Sequence, residues 1–209
     1  MTLKSNVTLF INTGSTLKAV ADQDEFQLVQ SSVISRMDVV PWKAFIRADS
    51  QQNITICGGG TIDASGDAAS FRDGVENSPN RPYGLCIINC EKVVVEDLYL
   101  RSSAFWMQRY LQCSGVRLSK LNVFNHANKN NDGIDVDSSN DVIISDCIID
   151  SSDDGICIKS EGEAPVKNIV VTNCIVASHA SALKLGTGSV GGFENIAFSN
   201  IVVNQFVFS

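Results

Sequence analysis

Histidine is nearly absent: His126 and His179 are the only two in 209 residues. That leaves too few imidazoles for a His-based metal site, so no metal and no cofactor is expected. No apolar run approaches the ~18 residues of a membrane span. Positive charge is scarce too. Sixteen Lys and Arg face 23 Asp and Glu, for a net charge of −7. That balance argues against nucleic acid and anionic membrane surfaces as partners, and it makes an acidic polymer awkward to hold unless local cations receive it. Seven cysteines are present without a C-x-x-C pair. Cys86, Cys90, Cys113, Cys147, Cys157 and Cys174 lie in apolar surroundings and read as small buried hydrophobes; a disulfide stays open. The opening Met1-Thr2-Leu3-Lys4-Ser5-Asn6-Val7 lacks the apolar core of a secretion signal. What remains is a chain 44% hydrophobic and 19% charged, enough for one sizeable core.

The chain repeats itself. Segments starting at Lys92, Gly115, Asp141, Asn168 and Asn195 each place apolar residues second and fourth, then a polar pair, then apolar residues seventh and ninth. The second-place residues Val93, Val116, Val142, Ile169 and Ile196 are spaced by 23, 26, 27 and 27. Earlier copies sit at Asn6-Val7-Thr8-Leu9 and Asn53-Ile54-Thr55-Ile56. A second strand recurs as Gly133-Ile134-Asp135-Val136, Gly155-Ile156-Cys157-Ile158 and Ala182-Leu183-Lys184-Leu185. Alternation turns one face inward, and β-branched residues favour strand over helix. A repeat of this period and content predicts an all-β, right-handed, single-stranded parallel β-helix. A leucine-rich repeat has a similar period, but its Leu-x-x-Leu-x-Leu signature is missing. Stacking at the ~4.8 Å strand spacing would line Leu98, Leu121, Cys147, Cys174 and Ile201 into one inner ladder.

Residues 1–209 are expected to form one solenoid domain. Two stretches leave the repeat: residues 19–43, and residues 64–82 with Gly66, Gly74, Pro79 and Pro82, a long loop suited to the wall of a cleft. No capping segment is evident at either end. The last residues, Phe206-Val207-Phe208-Ser209, read as strand-like, so a fragment of a longer solenoid, or one whose ends another chain covers, is expected.

Function concentrates in Asn130-Asn131-Asp132-Gly133 and Asp153-Asp154-Gly155-Ile156-Cys157-Ile158-Lys159-Ser160. Stacked coils make residues about twenty positions apart into neighbours, so Asp132, Asp153 and Asp154 are expected to crowd together. Crowded carboxylates are unfavourable unless something uses them. By contrast Asp135, Asp137, Asp141, Asp146 and Asp150 read as turn or surface residues, because Asp, Asn and Gly are common turn formers.

These motifs resemble glycoside hydrolase family 28, the polygalacturonases and related pectin hydrolases, whose members carry Asn-Thr-Asp-Gly on one coil and Asp-Asp-Cys-Ile-Ala-Ile-Lys-Ser on the next. Ser103-Ala104-Phe105-Trp106, Gly58-Gly59-Gly60-Thr61-Ile62-Asp63 and Lys184-Leu185-Gly186-Thr187-Gly188-Ser189 resemble further family stretches. The resemblance implies an inverting hydrolase of α-linked, uronic-acid-containing pectic polysaccharide. Asp153 would be the general acid, and Asp132 and Asp154 would position and deprotonate the water, with carboxyls about 6.5–9.5 Å apart. Asn130, Lys159, Lys184 and Trp106 are the candidate substrate contacts. Lys184 should point outward if Leu183 and Leu185 are core, and Gly133 and Gly155 should leave room for substrate. Two family features are missing. Ala180-Ser181-Ala182 stands where the family has Gly-His-Gly, and no Arg-x-Lys substrate clamp follows. By the resemblance the protein acts outside the cytoplasm; its oligomeric state is not readable.

Two other functions compete. A sugar-acid lyase on a similar solenoid would use calcium and an Arg or Lys base, yet no Arg falls between Asp132 and Ser189. A non-catalytic carbohydrate-binding β-helix, or an inactive relative, would bind polymer without cutting it.

Overall fold

The computed structural model describes residues 1–28, 30–33, 42–72 and 78–204. In chain order the strands are β1 (Val7–Phe10), β2 (Thr16–Lys18), β3 (Ala44–Asp49), β4 (Gln52–Cys57), β5 (Thr61–Asp63), β6 (Tyr83–Ile88), β7 (Glu91–Arg101) and β8 (Gln108–Leu111). They continue as β9 (Ser114–Asn125), β10 (Ile134–Asp137), β11 (Asn140–Ser145), β12 (Ile148–Ser151), β13 (Ile156–Ser160), β14 (Val166–Ser178), β15 (Leu183–Ser189) and β16 (Phe193–Asn204). A six-stranded sheet runs β3-β6-β8-β10-β13-β15. A ten-stranded sheet runs β1-β4-β7-β9-β11-β14 with β16 beyond; β12 lies between β9 and β14, β5 beside β7, and β2 beside β5. The chain passes from one sheet to the other and back with each winding, and all strand pairings are parallel. This is a parallel β-helix.

The register follows the repeat residue for residue. Val7, Ile54, Val93, Val116, Val142, Ile169 and Ile196 pair in succession. From Ile54 to Ile169 these side chains are fully buried, each worth ~1.5–3 kcal/mol relative to exposure. Leu98 pairs with Leu121 and Cys174 with Ile201. Cys147 falls between Leu121 and Cys174, since the adjoining Ile148 pairs with Asn122 and Ile175. All seven cysteines are free thiols, and the six named above are buried as expected.

Corners explain the polar pairs. Lys92, Asp141, Asn168 and Asn195 at one corner, and Asp97, Lys120, Asp146, Asn173 and Asn200 at the next, all have φ between 51° and 57°. Asn and Asp visit this left-handed region at least cost because their short side chains bond locally. Here they also bond between windings. Asn168 Nδ2 donates to Asp141 Oδ1 at 2.9 Å and Asn195 Nδ2 to Asn168 Oδ1 at 3.0 Å. Asn173 and Asn200 repeat the pattern on Asp146. The turn reading therefore holds for Asp141 and Asp146.

The two excursions meet on the flank of the solenoid. Phe71, in a short 3-10 turn at Ala69–Phe71, packs edge-on against Phe26, with ring centroids 5.6 Å apart. Lys43 Nζ reaches Gln23 O at 2.7 Å, and Ser70 Oγ reaches Ala21 O at 2.9 Å. Gly74 and the segment Phe206-Val207-Phe208-Ser209 lie outside the described residues.

Candidate active site

Asp132 immediately precedes the Gly133 that leads into β10, and Asp153 and Asp154 precede the Gly155 that leads into β13. These strands are neighbours, with Ile134 opposite Ile156. Gly133 N donates to Asp154 O at 2.9 Å, so Asp132 and Asp154 stand one rung apart. One oxygen from each of Asp132, Asp153 and Asp154 lies within 4.8 Å of the others. The expected convergence is there, with nearest oxygens closer than the ~6.5–9.5 Å that separates whole carboxyl groups of a water-spanning pair.

The glycines serve the coils, not the substrate. A Cβ on Gly133 would sit 2.6 Å from Gly155 O, and one on Gly155 would sit 2.4 Å from Val176 Cγ1 and 2.7 Å from Ala182 O. Their lack of a side chain lets successive windings close beneath the carboxylates.

Asp132 is 3% exposed and Asp154 2%, whereas Asp153 is half-buried. Asp154 Oδ2 accepts from Lys184 Nζ at 2.7 Å, and Asp154 Oδ1 has no hydrogen-bond partner. Asp153 Oδ1 accepts from Asp154 N at 3.0 Å. Burial pushes the Asp132 carboxyl well above its ordinary range, reinforced by the charges of Asp135 and Asp153. Burial, then Asp154, raises Asp153 as well. The cluster thus holds a proton at pH values where isolated carboxyls have lost theirs. The hydrogen bond to Asp154 raises Lys184. A cation could be reached by all three carboxylates, but the Lys184 ammonium already occupies Asp154, and no metal is assigned to the cluster.

The other sequence candidates separate. Lys184, 32% exposed, faces the cluster from β15 as expected. One of its flanking leucines differs from expectation. Leu183 packs partly against the core, but Leu185 is 51% exposed, because β15 is the last strand of its sheet among the described residues. Lys159 is not a solvated lysine. Its Nζ lies 3.4 Å from Asp135 Oδ1 and 4.8 Å over the Trp106 ring. Trp106 is buried and stacked on Phe105 at 5.3 Å. Asn130 Oδ1 accepts from Arg81 at 2.9 Å.

Asp135 and Asp137 correct the sequence reading. Both are fully buried in β10 and not on the surface, Asp135 in mid-strand and Asp137 at its last position. They leave the outer face of the six-stranded sheet, but loops and neighbouring side chains cover that face. Asp137 takes Arg109 at 3.4 Å, Ser138 Oγ at 2.9 Å and Glu161 N at 2.9 Å. Asp150, a presumed turn residue, pairs with His126 at 2.6 Å, and His179 packs edge-on to His126. Ser181 accepts Gly155 N through its backbone oxygen at 2.8 Å.

Three positioning groups escaped the sequence reading. Asn125 Nδ2 donates to Asp132 O at 3.0 Å, and Asn131 Nδ2 holds Ser103 O at 2.9 Å and Phe105 O at 2.8 Å. Arg81, in the second excursion, clamps the loop through Lys129 O at 2.7 Å and lies over Phe105 at 4.9 Å. Asn131 had a readable signal, an amide beside the key Asp; Arg81 lies too far along the chain to have one.

With this geometry in place, likeness to known proteins becomes informative. The family model described as Glycosyl hydrolases family 28 matches residues 12–208. The chain belongs to glycosyl hydrolases family 28. Polygalacturonase-2 of Solanum lycopersicum is 31% identical over 169 residues, 78% of this chain and 35% of that protein. The endo-polygalacturonase of Pectobacterium carotovorum subsp. carotovorum is 26% identical over 99% of this chain and 54% of its own. The chain thus spans about a third to a half of these relatives. Among solved structures, the polygalacturonase from Erwinia carotovora ssp. carotovora superposes with a TM-score of 0.83 at 25% identity, over 97% of this chain and 57% of that one. The exopolygalacturonase from Thermotoga maritima does so with a TM-score of 0.82 at 21% identity, over 96% and 55%, a likeness of fold. Family 28 is a family of glycoside hydrolases, and the β-helix described above is shared with its solved members. Among the described residues no helix is long and apolar enough to cross a membrane.

Proposed function

We propose that this chain carries the acid–base centre of a polygalacturonase-like hydrolase that cleaves α-linked, uronic-acid-containing pectic polysaccharide outside the cytoplasm, with inversion. The observation that carries this reading is the carboxylate triad on adjacent windings with one vacant acceptor, Asp154 Oδ1. Asp153, the most exposed of the three, delivers its proton to the glycosidic oxygen as the C–O bond breaks. Water held between Asp132 and Asp154 attacks the anomeric carbon and leaves its proton on that pair. Lys184 steadies Asp154 and is the exposed cation best placed to meet a uronate. Asn130, Lys159 and Trp106 shape the site from behind rather than touch sugar.

The tight spacing favours a second reading. Retaining enzymes hold two carboxyls ~5–5.5 Å apart, with one acting as nucleophile. Against it, both jobs of inversion have a carboxylate here, and a third remains to share the water. Lysines 159 and 184 are each engaged by an aspartate, which disfavours a lyase that needs a free base.

Asp153→Asn tests the assignment. Removing the proton donor should cost at least ~100-fold in turnover with the fold intact; an unchanged rate on polygalacturonate sinks it. NMR of the first-formed anomer separates inversion from retention. Unsaturated products that require calcium would indicate the lyase, and polymer binding without new reducing ends would indicate a binding module.

A further inference from the structure

Asp135 is a buried acid that the chemistry above does not use. It projects from β10 between the inward-facing Ile134 and Val136, yet no solvent reaches it. Its register neighbours are Arg109 on β8 and Cys157 on β13. Neither of its oxygens accepts a hydrogen bond, and its ion-pair partner is Lys159, at 3.4 Å. A buried carboxylate so thinly satisfied is costlier than an amide or apolar residue of the same shape, so its place in the fold needs a reason other than packing.

The reason lies above it. Asp135 follows Asp132 by three residues in the winding that carries the triad. Lys159, drawn toward Asp135, is pinned over the Trp106 ring and kept from the groove. We propose that Asp135 is a positioning residue for the triad: paired with Lys159, it sets from beneath the charge that Asp132 feels. The inference rests on the acid–base reading above and deepens it.

The surrounding groups make the effect directional. Asp135 faces Lys159 and Cys157 from β13, Arg109 from β8, and Asp154. Asp132 faces Asp135, Asp153, Lys159 and Asp154. Burial lifts Asp135 to about 7, with Lys159 pulling the other way. Burial works against the Lys159 ammonium, but Asp135, Cys157 and Asp132 together outweigh it and hold the lysine above its ordinary range. Cys157 is held up by burial and by Asp135 and stays a neutral thiol. When Asp135 ionises, Asp132 meets a further negative charge and keeps its proton to higher pH. An uncharged residue at 135 leaves Lys159 uncompensated, and Asp132 lets go earlier.

The test is carboxyl-carbon NMR titration of the free protein beside the pH profile of kcat/KM. In Asp135→Asn the Asp132 midpoint should fall by about one unit or more. The acidic limb of the profile should move with it to lower pH, an ~10-fold gain at a fixed pH on that limb. Adding Lys159→Gln to Asp135→Asn should return the midpoint toward its starting value, because both charges are then gone. In Lys159→Met alone, the Asp135 midpoint should climb above about 7. A folded Asp135→Asn with an unmoved Asp132 midpoint overturns the proposal, as does a fall in melting temperature without any movement of midpoints. If Asp135→Asn does not fold, Lys159→Met decides, and an unmoved Asp135 midpoint is the negative result. Full turnover in Asp153→Asn would remove the acid assignment while leaving these titrations standing, so the two failures are distinguishable.

Discussion

The two sheets of this solenoid are built from the same windings yet differ in what their outer faces meet. On the ten-stranded sheet, strands such as β11 and β14 alternate a buried inner residue with an accessible outer one. On the six-stranded sheet, β6, β8, β10 and β13 are buried at every position. One sheet has a core on one side and water on the other. Its neighbour has a core on one side and a second interior, aromatic and charged, on the other, with Arg109, Asp135, Asp137 and Lys159 sealed inside it. Charge in a low-dielectric layer acts strongly on its neighbours, and the triad opens at the edge of that layer.

Substitutions on the two sheets should therefore behave differently. The largest stability loss should come from Asp137→Ala, which breaks the buried pair with Arg109 and strips Ser138 Oγ and Glu161 N of their acceptor, at about 3–5 kcal/mol in urea unfolding. A loss no greater than that of the exposed Arg117→Ala would erase the distinction between the sheets. Ile144→Ala, on the inner face of the ten-stranded sheet, should cost about 2–5 kcal/mol through its cavity while leaving pH midpoints of activity in place. Gly155→Ala forces a methyl against Val176 and Ala182 O and should cost about 1–3 kcal/mol, with turnover falling as the carboxylates shift. Asn173→Ala, at an exposed corner, should cost about 1–2 kcal/mol for its left-handed backbone and leave turnover alone. The gentlest probe is pH itself. Asp132, Asp135 and Asp153 have raised folded-state values. Their contribution to stability is complete below the ordinary carboxylate range and is lost as pH rises, through about 7 for Asp135. The slope is at most ~1.4 kcal/mol per pH unit per group. Unfolding curves between pH 5 and 8 should show it, and Asp135→Asn should flatten it.

The same contrast explains what could be read beforehand. The ten-stranded sheet was legible because one face is wet: Val93, Val116, Val142 and Ile169 alternate cleanly with polar residues, and the register followed. The triad was legible because Asp132 and the Asp153–Asp154 pair sit at equivalent points of adjacent windings. Asp135 and Asp137 were misjudged because residue type was weighed above place. They alternate with Ile134 and Val136 along β10, Asp137 closing the strand, and that period of two was the available signal. Nothing local announced the cover over the outer face, since it depends on excursions and aromatic packing brought from far along the chain. Arg81 meets Asn130 across 49 residues, and Trp106 meets Lys159 only after folding.

Lys184, Asp154 and Asp132 belong to three successive turns of the spring. No single turn holds the proposed centre, and none can be swapped out alone. Any recombination that shuffles these repeats must move the three as one block or start again from an inert rod.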